Sequence, residues 1–211
     1  MLSQAEKGGV QNTIQNCVTV LQNDPILADS IRLNLLSERI DIVKPMGWQR
    51  SGPTLTDTDM MYILRRMEKY GLYSEKRVSA AIRIVANENH YHPIRDYLNE
   101  LKWDGTARIS RALHRFLGAA EDELTTEALK IFLLGAIKRV FHPGCKFEMM
   151  LCLVGGQGAG KSSFFRLLAI KDEWFSDDLR RLDDDNVFRK LQGHWIMEMS
   201  EMIATANAKS I

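Results

Sequence analysis

Residues 155–162 read Gly-Gly-Gln-Gly-Ala-Gly-Lys-Ser, the spacing G-x-x-x-x-G-K-[ST], and no other stretch of the chain constrains its own backbone so tightly. Glycines admit positive φ and keep Cβ atoms away from the main-chain N–H groups, so the loop can close around whatever those groups bind. Residues 147–154 form a short, almost continuous apolar run, as expected of a strand buried on both faces of a parallel sheet. Residues 161–168 then change to helical spacing. Strand, glycine loop and helix is the context this spacing requires.

A loop of this kind is suited to phosphate. Its N–H groups cradle the anion, and the positive end of the following helix points at the same charge. Lys161 would reach the β and γ phosphates and the Ser162 hydroxyl would ligate magnesium. The expected ligand set is therefore ATP with Mg2+, contacted by Gly155, Gly156, Gln157, Gly158, Ala159, Gly160, Lys161, Ser162 and Ser163. Some 35 residues on, 195–201 read Trp-Ile-Met-Glu-Met-Ser-Glu, an apolar strand with carboxylates at and just past its end. Such carboxylates complete a magnesium shell or polarise an attacking water, so Glu198 and Glu201 join Lys161 as catalytic candidates and Ser162 as metal candidates. A glutamate in an apolar strand is costly to bury unless a metal or cation pairs with it. The blander reading puts Glu198 at a sheet edge facing water, and the residues alone do not rank it against Glu201.

The remainder frames this site. The chain has 211 residues, is 45% hydrophobic and carries a net charge of +1, so bulk charge attracts it to neither nucleic acid nor membrane. Cys17, Cys145 and Cys152 fit neither a disulfide framework nor a zinc site, and Cys152, inside the apolar run, reads as a small buried hydrophobe. Neither a signal pattern nor a membrane-length apolar stretch is present, which predicts a cytoplasmic protein. Residues 1–146 are expected to be mainly helical, and 147–211 to form a partial nucleotide-binding core. Asp57 is expected to open one helix and Thr106 another. His90 and His92 lack a third ligand and suggest a turn. Arg108, Arg111 and Arg115 recur at helical spacing, more often a solvated face than a DNA contact. Asp183, Asp184 and Asp185 suit an acidic helix start.

Three segments in order resemble the virulence-associated protein E family of phage and mobile-element proteins. They are His92-Pro93-x-x-Asp96-Tyr97-Leu98 with Trp103-Asp104-Gly105, then Pro143-Gly144-x-Lys146 leading into residues 155–163, and finally Gly193-x-Trp195-x-x-Glu198-x-x-Glu201. The resemblance runs from about residue 7 onward. It implies an α/β P-loop NTPase with an AAA+-like parallel sheet, similar to superfamily III primase-helicases, preceded by a mainly helical domain. It further implies a homo-oligomeric ring that hydrolyses ATP on single-stranded or forked DNA, with Glu201 favoured as the catalytic carboxylate. Too few residues follow Glu201 for the remaining strands of such a core, so the expectation is an incomplete sheet with weak turnover. Two other readings stay open: a non-catalytic DNA-binding or interaction module, and a phosphotransferase or GTPase built on the same loop. The Asn-Lys-x-Asp sequence that reads guanine is absent.

Overall fold

The structure is a computed structural model that describes residues 2–4, 8–179 and 187–199. The chain divides into two units, Met1–Pro93 and Ile94–Ile211.

In the first unit Thr13 accepts a hydrogen bond from the Asn16 N–H and opens α1 (Ile14–Asn23). A hairpin follows, β1 (Ile31–Asn34) antiparallel to β2 (Arg39–Ile42), with Ile31 opposite Ile42. The Asn34 side chain closes its turn by accepting from the Leu36 and Ser37 N–H groups. Next comes α2 (Asp57–Met67), capped by Thr56 rather than by Asp57. The Thr56 hydroxyl accepts from Asp59 N–H while the Asp59 carboxylate accepts from Thr56 N–H, satisfying two donors at once. A short 3-10 turn ends at Gly71, whose φ of +75° a side chain would resist, and α3 (Glu75–Glu88) packs back on α1. Cys17, Leu21, Leu27, Ile63, Met67 and Val78 are fully buried between these elements. Each such aliphatic side chain stabilises the fold by about 1.5–3 kcal/mol.

The second unit begins with α4 (Pro93–Glu100), where proline takes the first helical position that needs no N–H donor. Then come α5 (Ile109–Leu117) and α6 (Glu123–Phe141). Thr106 does not cap α5. Asp104 instead accepts from the Thr106 N–H and from Arg108, and the helix starts three residues beyond Thr106. Asp122 caps α6 by accepting from the Thr125 N–H at 2.8 Å. After the glycine loop, α7 (Lys161–Leu168) leads to β3 (Phe175–Ser176), α8 (Val187–Leu191) and β4 (Ile196–Met197).

The expected parallel sheet of an AAA+-like P-loop NTPase is not what forms. About half of the described residues are helical, and their only sheets are the hairpin and a two-residue parallel pairing of β3 with β4. Residues 147–154, expected as a strand buried on both faces, carry no ladder among the described residues. Leu151 and Leu153 pack against the cluster of Leu113, Leu129 and Phe164, while Met150, Cys152 and Val154 are exposed, Val154 to 98%. An apolar run supplies side chains to bury, but a strand exists only through a neighbour that pairs its N–H and C=O groups. Without one, the run is held on one face only.

That hold comes from α6. Gly135 lies beneath the Phe147 ring so closely that an added Cβ would overlap it. Arg139 stacks its guanidinium over the same ring at 5.9 Å and donates to the Phe147 carbonyl.

Candidate functional site

The glycine loop leaves residues 147–154 and turns into α7 through Gly158 and Gly160, with φ of +78° and +80°. Those two need glycine for their backbone conformation. Gly155 and Gly156 do not: neither has positive φ, and a Cβ on either would meet no protein atom within 4 Å. Only a group arriving from outside would make use of the missing side chains there. Gly160 caps α7 with no side-chain acceptor, so the first-turn N–H groups are left facing an open mouth. Such a helix end favours an anion.

Three charged or polar side chains converge on this mouth. Lys161 Nζ donates to the carbonyls of Gly155 at 2.9 Å and Gly156 at 2.8 Å, folding the ammonium back across the loop. Ser162 Oγ donates to Glu198 Oε1 at 2.7 Å. Glu198 Oε2 is buried with no hydrogen-bond partner. The backbone fixes the glutamate at this point: its N–H donates to the Ser176 carbonyl at 2.8 Å, extending the β3–β4 pairing by one rung. Trp195 anchors the same strand, with its N–H on the Trp174 carbonyl and its indole on the Ala136 carbonyl of α6 at 3.2 Å. Neighbouring residues of α6 therefore hold both halves of the site, Gly135 under the segment entering the loop and Ala136 on the strand carrying Glu198. Sequence reading missed both: a glycine within a helical pattern reveals no partner, and a tryptophan in an apolar strand reads as core.

The loop, Leu151–Val154 on one side and Met197–Met199 on the other enclose a cleft of about 730 Å³. Cys152 lines it and is exposed, unlike Cys17, which is fully buried; the expectation of a buried Cys152 fails along with the two-faced strand. A hydroxyl oxygen and a carboxylate 2.7 Å apart, beside open N–H groups, form an oxygen donor pair of the sort magnesium accepts together with phosphate oxygens. The unpartnered carboxylate oxygen costs stability until a donor or cation reaches it.

The other candidates are not gathered here. Glu201 and Asp183, Asp184 and Asp185 lie outside the described residues. His90 Nδ1 pairs with the Asn87 carbonyl, and no group of three potential metal-ligating residues occurs among the described residues. Arg108 is ion-paired with Asp104 and Arg111 with Glu121. No described helix is long and apolar enough to cross a membrane.

A glycine loop feeding a helix, with a serine hydrogen-bonded to a strand carboxylate, defines the kind of site. The sequence profile of the virulence-associated protein E-like domain matches residues 98–211, and the chain belongs to that family. No curated protein matches it.

Proposed function

We propose that the second unit binds the magnesium complex of ATP and serves as the ATPase element of a helicase or primase-helicase that replicates mobile DNA. The observation that carries this reading is the 2.7 Å hydrogen bond from Ser162 to Glu198, which leaves the second carboxylate oxygen buried and unmet. Ser162 and Glu198 fit a hard cation by their oxygen chemistry, and the bound magnesium would draw charge from the phosphates. Gly155 to Ser163 supply the phosphate contacts. On phosphate entry Lys161 exchanges two carbonyl acceptors for phosphate oxygens of full negative charge, a stronger set of partners. Glu198 then holds the metal side of the site. Glu201 belongs to the proposal by its spacing from Glu198 and by the family resemblance, as the residue that orients the attacking water. DNA as the second substrate and a homo-oligomeric assembly rest on the resemblance as well.

The test is direct titration of the purified chain with ATP and magnesium, repeated on Lys161→Ala. Saturable binding that is clearly weakened in the variant supports the reading; equal binding by both proteins refutes it. A parallel assay of phosphate release with and without single-stranded DNA addresses the helicase part.

A further inference from the structure

The loop fixes where a triphosphate would lie and leaves the other end of the ligand to be placed. The nucleoside must leave along a flank of α7 that protein does not already fill. Glu198 stands on the side at Ser162, and Leu151, Leu153 and Phe132 border the cleft beside it. A further neighbour of the loop is the C-terminal end of α5. There the Leu117 side chain comes within 3.9 Å of the position a Cβ on Gly160 would take. The ring of Phe116 lies 6.5 Å from that of Phe164 in the first turn of α7, tilted by 42°.

Phe116 on α5 differs from the two rings of α7. Phe164 and Phe165 are 7% and 9% exposed and serve the core, whereas Phe116 is 65% exposed. The Arg115 guanidinium lies 5.7 Å from its centroid, so the ring already attracts a flat cationic group. An exposed phenyl ring thus lies beside the first turn of α7, where it is otherwise unfavourable.

We propose that Phe116, flanked by Arg115, is the platform on which the purine of the bound nucleotide stacks. This deepens the nucleotide-binding reading and rests on it. Aromatic rings and guanidinium planes hold bases by stacking without needing a hydrogen-bond code. The platform therefore predicts affinity for the base with modest choice between adenine and guanine.

The experiment compares magnesium ATP with magnesium tripolyphosphate, which has the phosphates and no base, on the intact chain and on Phe116→Ala and Phe116→Tyr. Expected is an about tenfold loss of ATP affinity in Phe116→Ala, unchanged tripolyphosphate binding, and recovery in Phe116→Tyr. Phe116→Ala that binds ATP as the unmodified chain does overturns the platform and leaves the phosphate site standing. Equal losses for ATP and tripolyphosphate also overturn it, because the ring would then act on the loop. If the unmodified chain binds neither ligand, this inference and the function proposed above fall together.

Discussion

Charge is treated in opposite ways by the two units. In the first, Asp59 and Asp24 are buried with both oxygens engaged, while buried Asp41 has Oδ2 held by Tyr91 and Asn34 and Oδ1 without a partner. Asp59, 2% exposed, accepts from Arg50, from the Trp48 indole and from Thr56. Asp24 is equally enclosed, held by Arg66 at 2.5 Å and by the Tyr70 hydroxyl at 2.7 Å. In the second unit the ion pairs lie in solvent; Arg108–Asp104 and Arg111–Glu121 are more than half exposed on both partners. Its one enclosed carboxylate oxygen among the described residues, on Glu198, is left without a partner. A carboxylate held on both oxygens specifies a fold, whereas an unpartnered oxygen beside an open loop is placed to meet a ligand.

The largest effect that tests this contrast is loss of stability. Asp59→Ala strips the Trp48 indole of its acceptor and leaves Arg50 only backbone carbonyls, and should destabilise the first unit by about 3–5 kcal/mol, read from a urea melt. Asp104→Asn, in an exposed pair, should leave the melt unchanged. Acid gives the same result without mutation. Burial alone would raise the Asp59 pKa, but the bonds from Arg50, Trp48 and Thr56 outweigh it and hold the carboxyl well below its ordinary 3.8. Asp24 is lowered for the same reason: burial works against it and Arg66 and Tyr70 prevail. A carboxylate whose folded pKa is depressed contributes its full stability above the ordinary value. The first unit should therefore weaken progressively as pH falls below about 4. A melt independent of pH from 5 down to 2 would contradict this.

Binding effects come next. Lys161→Ala should weaken ATP by roughly 10–100-fold, the loss expected for charged hydrogen bonds, while the melt of the first unit stays put. Gly135→Ala forces a Cβ into Phe147 and should cost about 1–3 kcal/mol of packing where residues 147–154 meet α6. It should lower nucleotide affinity without touching a phosphate-contacting residue; unchanged affinity would break the link between α6 and the loop. The smallest effect concerns thiols. Cys152, exposed in the cleft, should react with a maleimide in the native state and be shielded by bound ATP. Cys17, fully buried and with its thiol pKa pushed up by that burial, should react only after unfolding.

Local patterns were legible and long-range pairing was not. Helical periodicity placed α7 at residues 161–168, because an amphipathic helix writes its buried face into its own sequence. Thr56 and Asp122 as caps, and Arg108 tied to Asp104, depend on side-chain choices among several hydroxyls and carboxylates close in sequence. The apolar run at 147–154 predicted a strand that the structure lacks, since pairing depends on a neighbour elsewhere in the chain. The glycine loop was readable from spacing, and so was Glu198 as a candidate. Its contact with Ser162 spans 36 positions, and the contacts of Gly135 with Phe147, Trp195 with Ala136 and Phe116 with Phe164 are equally non-local.

The central claim is that Ser162 and Glu198 form the metal side of a nucleotide site. Calorimetric titration of ATP into the chain, with magnesium and then with chelator, tests it most directly when repeated on Glu198→Gln. The account predicts saturable binding that magnesium tightens in the unmodified chain, and a Glu198→Gln variant in which magnesium no longer matters. Equal affinity with and without magnesium in the unmodified chain, or no saturable binding at all, would contradict it.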